Sequence, residues 1–541
     1  MIVGRALGAS KVLRLCALLA AIAAPGLAAA EGDPRDEVFF GEAEPPARVP
    51  STASRDDAIF GGGDSRDAAV VGGDVGDSRD AAFFGDGGGD SRDDDFFGDG
   101  GDTISASAPA DRPSTTEEQR DEGRLLSSGE IDRRLGLREN KLDVGGLLYL
   151  RMDYGAAEKG IAEGFPISNP NLLDLYLDAR PTDRLRAFVR GRVTHYFLNT
   201  DVTDDVGQVK NRGGTTGGLD QLWLKFDIDR TVFVTAGRQP IRWGAGRFWN
   251  PTDFLNIQRR DPLAVIDERF GVSLLKFHLP DEADGWNFYA IANLENATRP
   301  DEVGGALRVE KLVGTTEVSV SFAARKDRPI QVGGDITFPL GPLDLRAEGA
   351  LSRGGKAPFF RGPVSVDPLV LPTTYSRENE WIPQAVLGAE LGIAYGDDDS
   401  ITLGAEYFYN GAGYDDSALY PWLMISGAFT PLYLGKHYGA VYASAVGPGS
   451  WNDTTLVASL LGNLSDGSLL ARFDWRVRLL TFLDANAFVG YHFGSDGELH
   501  FGLDLPPIDL PEGNPAAPLV ANGLHRAAPF LDLGAGLSLR F

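Results

Sequence analysis

The sequence contains a single cysteine, Cys16, in 541 residues. A chain without a second cysteine has no disulfide framework, and a cysteine-based metal site is excluded. Beyond residue 30 no run of 18 apolar residues occurs, so no membrane-spanning helix is expected there. The six histidines have no ligand spacing, and the serine-hydrolase, zinc-protease and phosphate-loop motifs are missing. We therefore expect no enzyme, no metal site and no cofactor.

Positive charge is also scarce. The formal net charge of −26 argues against nucleic acid as a partner. Three of the basic residues, Arg5, Lys11 and Arg14, precede an apolar run over residues 15–27 that ends in three alanines. This order of a basic, an apolar and a small-residue segment predicts a secretory signal peptide over residues 1–30.

Residues 31–124 form an acidic tail with 25 Asp or Glu, 9 Arg and no Lys, a net charge of −16. The tail has too little apolar surface to offset its chain entropy, which predicts disorder. It carries five near-copies of one motif, an Arg-Asp pair followed by an apolar pair and Gly: Arg35–Gly41, Arg55–Gly61, Arg66–Gly72, Arg79–Gly85 and Arg92–Gly98.

Three interpretations of the tail repeats stay open. They are a solvated segment without a specific role, a repeated motif that binds a periplasmic partner through avidity, or a calcium site built from Asp-rich spacers. After the tail, residues 125–140 form a short linker in which Ser127 and Glu130 have capping-box spacing. That spacing predicts a brief helix leading into residues 141–541.

The last strand of the chain alternates strictly. Apolar residues occupy every second position from Leu531 to Phe541, and Asp532, Ser538 and Arg540 lie on the other face. A terminal strand of this kind, ending on Phe, resembles the closing strand of Gram-negative outer-membrane β-barrels. The resemblance implies an outer-membrane location, contact with membrane lipids, and a signal for the barrel-assembly machinery at Leu537, Leu539 and Phe541. It also implies that the tail is periplasmic.

The rest of residues 141–541 alternates in the same way, in segments of about ten residues. Residues 142–154, for example, place leucines, Val144 and Met152 on one face and Asp143, Arg151 and Asp153 on the other. Such segments are typical of transmembrane barrels. We predict an all-β fold, a transmembrane antiparallel up-and-down β-barrel of about 18 strands (16–18).

The connections between these segments support the strand count. Every second gap is short, and the long gaps, residues 198–217, 250–269, 354–381, 411–435 and 495–529, all fall between them. Bacterial barrels have short periplasmic turns and long outer loops. An even strand number with both termini periplasmic reproduces that sorting.

The third long loop, residues 250–269, has too many apolar residues for a solvated loop. Asp261 followed by Pro262 predicts a helix start. In general porins the third loop folds into the lumen, and this loop has the same ordinal position. We expect it to narrow the channel, or alternatively to pack on neighbouring outer loops. Its charged candidates for the constriction are Asp253, Arg259, Arg260, Asp261, Asp267 and Glu268.

The segment before this loop changes its alternation at Pro240, which cannot donate a ladder hydrogen bond. This predicts a bulge that turns Arg238 and Arg242 into the lumen together. Further lumen arginines are expected where they share one strand face, at Arg186, Arg190 and Arg192 and at Arg472, Arg476 and Arg478. Guanidinium groups suit carboxylate or phosphate ligands.

A barrel of this size leaves an aqueous channel. The signal contributes +3 and the tail −16, which leaves −13 for residues 125–541, so local arginine clusters can still favour anions. We expect a passive porin for small polar, anionic solutes. Two alternatives stay open: an export channel for an anionic polysaccharide, since residues 141–541 loosely resemble the alginate-export family, and a structural barrel that recruits envelope partners through its tail.

Overall fold

The structure, a computed structural model, describes residues 141–157, 167–182, 184–203, 209–281, 283–366, 369–395, 399–415, 417–505, 507 and 524–541. The predicted signal peptide (1–30), acidic tail (31–124) and short linker helix (125–140) lie outside these described residues.

Eighteen long strands make up the wall of the barrel within the described residues. In chain order they are β1 Leu142–Ala157, β2 Pro170–Thr182, β3 Leu185–Thr203, β4 Val209–Ile228, β5 Val232–Gln239, β6 Val272–Asp281, β7 Trp286–Asn293, β8 Gly304–Val313, β9 Thr316–Ala324, β10 Ile330–Leu340, β11 Leu343–Arg353, β12 Ile382–Tyr395, β13 Asp399–Asn410, β14 His437–Val446, β15 Thr454–Asn463, β16 Ser468–Leu480, β17 Leu483–Gly494 and β18 Pro529–Arg540.

The remaining regular elements that the structure describes are short. One helix, α1, spans Tyr420–Ile425, and no helix in the described ranges is long and apolar enough to cross a membrane. The short strands and 3₁₀ turns are Ile167–Ser168, Pro300–Glu302, Phe359–Arg361, Ser365–Val366, Leu369–Val370, Thr373–Tyr375, Ser417–Leu419, Glu498–His500, Leu503–Leu505 and Leu524–Arg526.

The sheet closes on itself. Each strand pairs antiparallel with the next, and β1 pairs with β18 from Leu147 opposite Arg540 to Ala157 opposite Pro529. Closure leaves no unpaired sheet edge, so the backbone groups of all the strands are satisfied within the sheet. The predicted all-β fold, an antiparallel up-and-down barrel with about 18 strands, is confirmed.

Connections of two to seven residues, such as residues 314–315 and 481–482, join the strands at one end, where β1 begins and β18 ends. The other end has most of the long loops, as the sequence predicted. The predicted loop at 198–217 is wrong, because β3 and β4 continue through most of it as a hairpin, with Thr203 opposite Val209. The sequence there is mostly polar, as in a loop, and it has no apolar alternation. Backbone pairing nevertheless continues.

The two faces of the wall differ as the alternation predicted. On β1, Val144 and Met152 are exposed on the outside, whereas Tyr149, Arg151 and Asp153 are buried on the inside. Large exposed apolar side chains recur on every barrel strand except β5 and β6, and they give the outside an apolar belt. An apolar exterior around a polar interior is the arrangement that a lipid bilayer requires.

Phe541 helps to join the two ends of the sheet. Its amide donates to the Gly146 carbonyl at 3.1 Å, and its carbonyl accepts from the Gly146 amide at 2.8 Å. The aromatic ring lies over Gly146, where a Cβ atom would come within 2.7 Å of it. Leu537, Leu539 and Phe541 all remain exposed on the outer surface.

We predict that Phe541→Ala lowers the yield of assembled barrel severalfold while it keeps the backbone pairing with Gly146. The reason is that the substitution removes only the exposed aromatic ring, which the resemblance assigns to the assembly signal. Heat-modifiable mobility of membrane fractions on gels measures the folded yield. Leu533→Ala, another exposed residue on the same strand, is the control; equal yields for both variants would contradict the role of the ring.

Candidate functional site

The loop between β5 and β6, residues 240–271, contacts the inside of the wall at several places. Strand β5 ends at Gln239, one residue before Pro240, so the predicted bulge at Pro240 is wrong. Proline lacks the amide that the ladder would need next, and the chain leaves the sheet there instead. Loop 240–271 is thus longer than the predicted loop of residues 250–269.

Glu406 of β13 binds one part of this loop. Its carboxylate accepts hydrogen bonds from three consecutive backbone amides, those of Arg247, Phe248 and Trp249, at 2.6, 2.9 and 3.0 Å. Glu406 is buried. Successive amides that converge on one anion form a concave binding site for it, so the backbone here satisfies a buried charge.

Glu348 of β11 binds the loop in a similar way. It accepts from the amides of Ala245, Gly246 and Thr252 at 2.9, 3.0 and 2.6 Å, and from the Thr252 hydroxyl at 2.7 Å. Glycine is required at two positions nearby. Gly244 has a φ of +102°, and a Cβ on Gly246 would overlap the carbonyl oxygen of Trp249.

Side chains of the loop reinforce this contact. Arg247 forms an ion pair with Glu390 of β12 at 2.9 Å. The Trp249 ring stacks on Phe408 with centroids 5.5 Å apart, and it is fully buried. Leu432 and Leu499, from two other long loops, pack into the same apolar cluster. The loops therefore fill part of the space beside β12–β17.

The second half of the loop contacts a different part of the wall. Ile266 packs with Leu147 and Tyr149 of β1, and the Asp267 carbonyl accepts a hydrogen bond from Arg192 of β3 at 3.1 Å. Strands β1–β3 lie about halfway around the ring from β11–β13. Loop 240–271 therefore contacts nearly opposite sides of the interior.

The three predicted arginines of β3 lie together on the inner face, and each pairs with a carboxylate. Arg186 binds Asp178 through two bonds of 2.7 and 2.9 Å. Arg192 binds Asp174 through two bonds of 2.8 Å, and Arg190 pairs with Asp220. These three arginines thus face three carboxylates, of which Asp178 also binds Arg180 at 2.8 Å.

The predicted arginines of β16 also face inward. Arg472 pairs with Asp474 at 2.7 Å, and its guanidinium lies 4.1 Å from the centre of the Phe488 ring. Arg476 and Arg478 share Asp484, at 3.2 and 3.7 Å, near the end of the barrel with the short turns. The two groups on this strand thus lie at different heights.

The prediction that Arg238 joins Arg242 in the lumen is wrong. Arg238 lies opposite Leu222, an exposed residue of the outer surface, and paired residues of antiparallel strands share a face. Its guanidinium binds Glu295 at 2.9 Å, beyond the end of β7. The regular alternation of β5 continues through Arg238, because the predicted bulge does not form.

Arg242 and Arg259 of the loop have no carboxylate partner among the described residues. Arg242 donates to the Gly246 carbonyl at 3.3 Å and lines a cavity of about 180 Å³. Arg259 is exposed, and its guanidinium lies 5.1 Å from the centre of the Tyr433 ring. Burial, and then the neighbouring Arg242, lowers the pKa of Arg260 to about 9, so Arg260 is still charged at neutral pH.

The acidic residues of the loop differ in their surroundings. Asp253 and Asp267 both bind Arg269, at 3.3 and 2.7 Å. Although burial opposes ionisation, the charge of Arg269 holds the pKa of Asp267 well below its usual range. Glu268 is exposed and lies 3.8 Å from Arg151.

Asp261 begins a turn, and the helix predicted there is wrong. Its Oδ1 accepts the Leu263 amide at 2.9 Å, as a cap would, but the chain continues without helical hydrogen bonds. Its Oδ2 is buried without a hydrogen bond. Burial raises the pKa of Asp261 to about 7.

The residues that the sequence did not single out are Glu348, Glu390 and Glu406. They alternate with apolar or small neighbours, as inner-face residues do, but nothing in the local sequence shows that they bind loop 240–271. Among the described residues, no three His, Cys, Asp or Glu side chains are grouped as metal ligands.

No protein-family model and no curated protein matches this sequence. Among solved structures, OccAB1 of Acinetobacter baumannii is similar at 11% identity and a TM-score of 0.44, over 74% of this chain and 96% of that one. The outer membrane protein OpdK of Pseudomonas aeruginosa is similar at 9% identity and a TM-score of 0.42, over 74% and 99%.

A mutant of the Rhodopseudomonas blastica porin is similar at 11% identity and a TM-score of 0.36, over 74% of this chain and all of that one. Similarity at this level carries no argument about function. The assignment of the closed barrel rests on the strand pairing of this chain, and the resemblance to the alginate-export family stays a prediction.

We predict that Glu406→Ala increases single-channel conductance and current noise. The substitution leaves three buried amides without an acceptor, at a cost of about 1–3 kcal/mol each, which favours release of the loop from β13. Glu406→Gln, which keeps one acceptor oxygen, should have a smaller effect. Planar-bilayer recording measures both quantities.

Glu378→Ala is the control, because it removes an exposed carboxylate of another loop that accepts no amide of loop 240–271. The role of Glu406 in holding the loop is contradicted when Glu406→Ala conducts like the unmodified chain.

Proposed function

We propose that this protein is an outer-membrane channel for the passive diffusion of small polar, anionic solutes. The closed barrel with an apolar exterior supports residence in a bilayer, and the predicted signal peptide supports export from the cytoplasm. Its neighbours would be the membrane lipids, and its assembly would use the signal at Leu537, Leu539 and Phe541. The end with the short turns would face the periplasm.

We take loop 240–271 as the constriction of this channel. It contacts β11–β13 through Glu348 and Glu406 and β1–β3 through Ile266 and Asp267, so a solute has to pass beside it. The charged groups of the loop and of the adjacent wall then decide which solutes pass.

The observation that carries the preference for anions is the lack of carboxylate partners at Arg242 and Arg259 in the described part of the chain. Arg186 and Arg192 are matched by carboxylates, and their fields largely cancel. An unpaired guanidinium keeps its full charge and its hydrogen-bond donors for a carboxylate or phosphate group. At 4 Å the attraction between one such charge and an anion is about 1 kcal/mol in water and about 4 kcal/mol near a protein surface.

Small solutes fit the interior better than a polysaccharide. Trp249, Leu432 and Leu499 belong to one buried apolar cluster that includes inner side chains of β12–β17. A polymer of sugars would need these loops to move away together, whereas a small anion needs only the space that remains. An enzymatic role is not favoured by any group of side chains in the described residues.

We predict that Arg242→Gln combined with Arg259→Gln lowers the ratio of anion to cation permeability at least about threefold, since it removes two unpaired charges. Reversal potentials in salt gradients across planar bilayers measure this ratio. Arg299→Gln combined with Arg328→Gln, two exposed arginines of other loops, is the control of equal charge. An unchanged reversal potential in the first variant would remove both arginines from the site.

We also predict that the anion preference decreases as the pH rises through about 7. Asp261 keeps its proton below that pH and becomes a carboxylate above it, which adds a negative charge near Arg260 and Arg472. Asp261→Asn should abolish this dependence and keep the preference seen at low pH. Reversal potentials at about pH 5.5 and about pH 8.5 provide the comparison; the same pH dependence in both proteins rules out Asp261 as its source.

A further inference from the structure

Three arginines surround a single carboxylate on the inner face at the short-turn end of the barrel. Arg476, Arg478 and Arg540 lie 3.2, 3.7 and 3.6 Å from the oxygens of Asp484. Asp484 is the only carboxylate that pairs with them in the described residues. We call these four residues the mouth cluster.

The mouth cluster has an excess of positive charge. Its three guanidiniums and one carboxylate sum to +2, and the sum is still positive when the terminal carboxylate of Phe541 is included. The side chain of Arg478 is 60% exposed and that of Arg476 is 39% exposed, so both can accept a further partner. Arg186 and Arg192 of β3, by contrast, each have a carboxylate as a bidentate partner.

Strand β1, which follows the acidic tail in the sequence, begins at the end of the barrel where this cluster lies. Residues 31–124 precede β1, and β1 starts at the short-turn end, where the Lys141 carbonyl accepts the Arg180 amide. Strand β1 pairs directly with β18, which carries Arg540. The chain that follows the acidic tail therefore begins its first strand at the same end of the barrel as the mouth cluster.

We propose that the acidic repeats of residues 35–98 bind back to the mouth cluster of their own barrel. Each copy contains an aspartate directly after its arginine, and the copy Arg92–Gly98 has three consecutive aspartates. Aspartate carboxylates bind guanidinium groups in a bidentate manner, and partial exposure of the cluster leaves donors for them. The proposal is independent of which solute the channel passes.

The tether is long enough for this contact. Residues 99–140 separate the last copy from Lys141, and a random chain of that length spans roughly 35 Å. A tethered motif experiences an effective concentration in the millimolar range, so weak ion pairs are sufficient. Because five copies compete for one cluster, the tail remains bound when any one copy leaves.

The full chain with Ser91→Cys allows a direct test, because Cys16 lies in the predicted signal peptide and residue 91 precedes the fifth copy. A nitroxide attached there reports the mobility of the repeats by electron paramagnetic resonance. We expect an immobilised fraction at low salt that decreases severalfold at about 1 M salt, where the Debye length is about 3 Å.

Arg476→Gln, Arg478→Gln and Arg540→Gln together should remove most of the immobilised fraction at low salt. Arg299→Gln, Arg328→Gln and Arg353→Gln, at the other end of the barrel, form the control of equal charge and should leave it unchanged. Heat-modifiable mobility on gels shows that each variant is folded. Addition of an unlabelled peptide of residues 86–98 in excess should release the label, whereas the same peptide with its aspartates replaced by asparagines should not.

The proposal is overturned if the label is equally mobile in the unmodified barrel and in the variant with three mouth-cluster substitutions. It is also overturned if immobilisation persists in that variant, because the tail then binds elsewhere. Neither result depends on ion conduction, so failure of the proposed channel function would be recognised separately.

Discussion

The arrangement inside the barrel depends on two buried carboxylates that accept backbone amides. Glu348 and Glu406 together bind six amides of loop 240–271, and each carboxylate would be costly to bury without these donors. The loop in turn brings Trp249 into the apolar cluster and Arg242 to the small cavity beside it. Loss of either carboxylate would thus affect both the packing and the charge of the candidate site.

The strands of the wall could be predicted because their apolar alternation is a local pattern in the sequence. Alternation with period two shows which face of each segment is apolar, and strands of about ten residues joined in sequence order can close in one simple way. The same alternation puts Arg186, Arg192 and Arg472 on the face of their strands that is turned inward in the structure. The alternation gave no strand at residues 198–217, where β3 and β4 pair through their backbones although the sequence there has no regular apolar alternation.

The candidate site was only partly predictable. The apolar content of residues 250–269 correctly indicated a packed loop, but its partners Glu348 and Glu406 are about 100 and 160 residues away in sequence. Contacts between residues so far apart in sequence cannot be seen in a local pattern. The bulge predicted at Pro240 and the helix predicted at Asp261 both followed local preferences, and neither forms in the structure.

Local pairing of charge limits what the arginine content of such a barrel can say about its selectivity. Arg190 and Arg192 share Asp174 and Asp220, so four charges of β2–β4 nearly cancel. Within the described residues, guanidiniums without a matching carboxylate include those of loop 240–271 and of the mouth cluster. These two sets lie at different heights of the barrel. Positive charge without a matching carboxylate is thus found at two separate levels of the described part of the barrel.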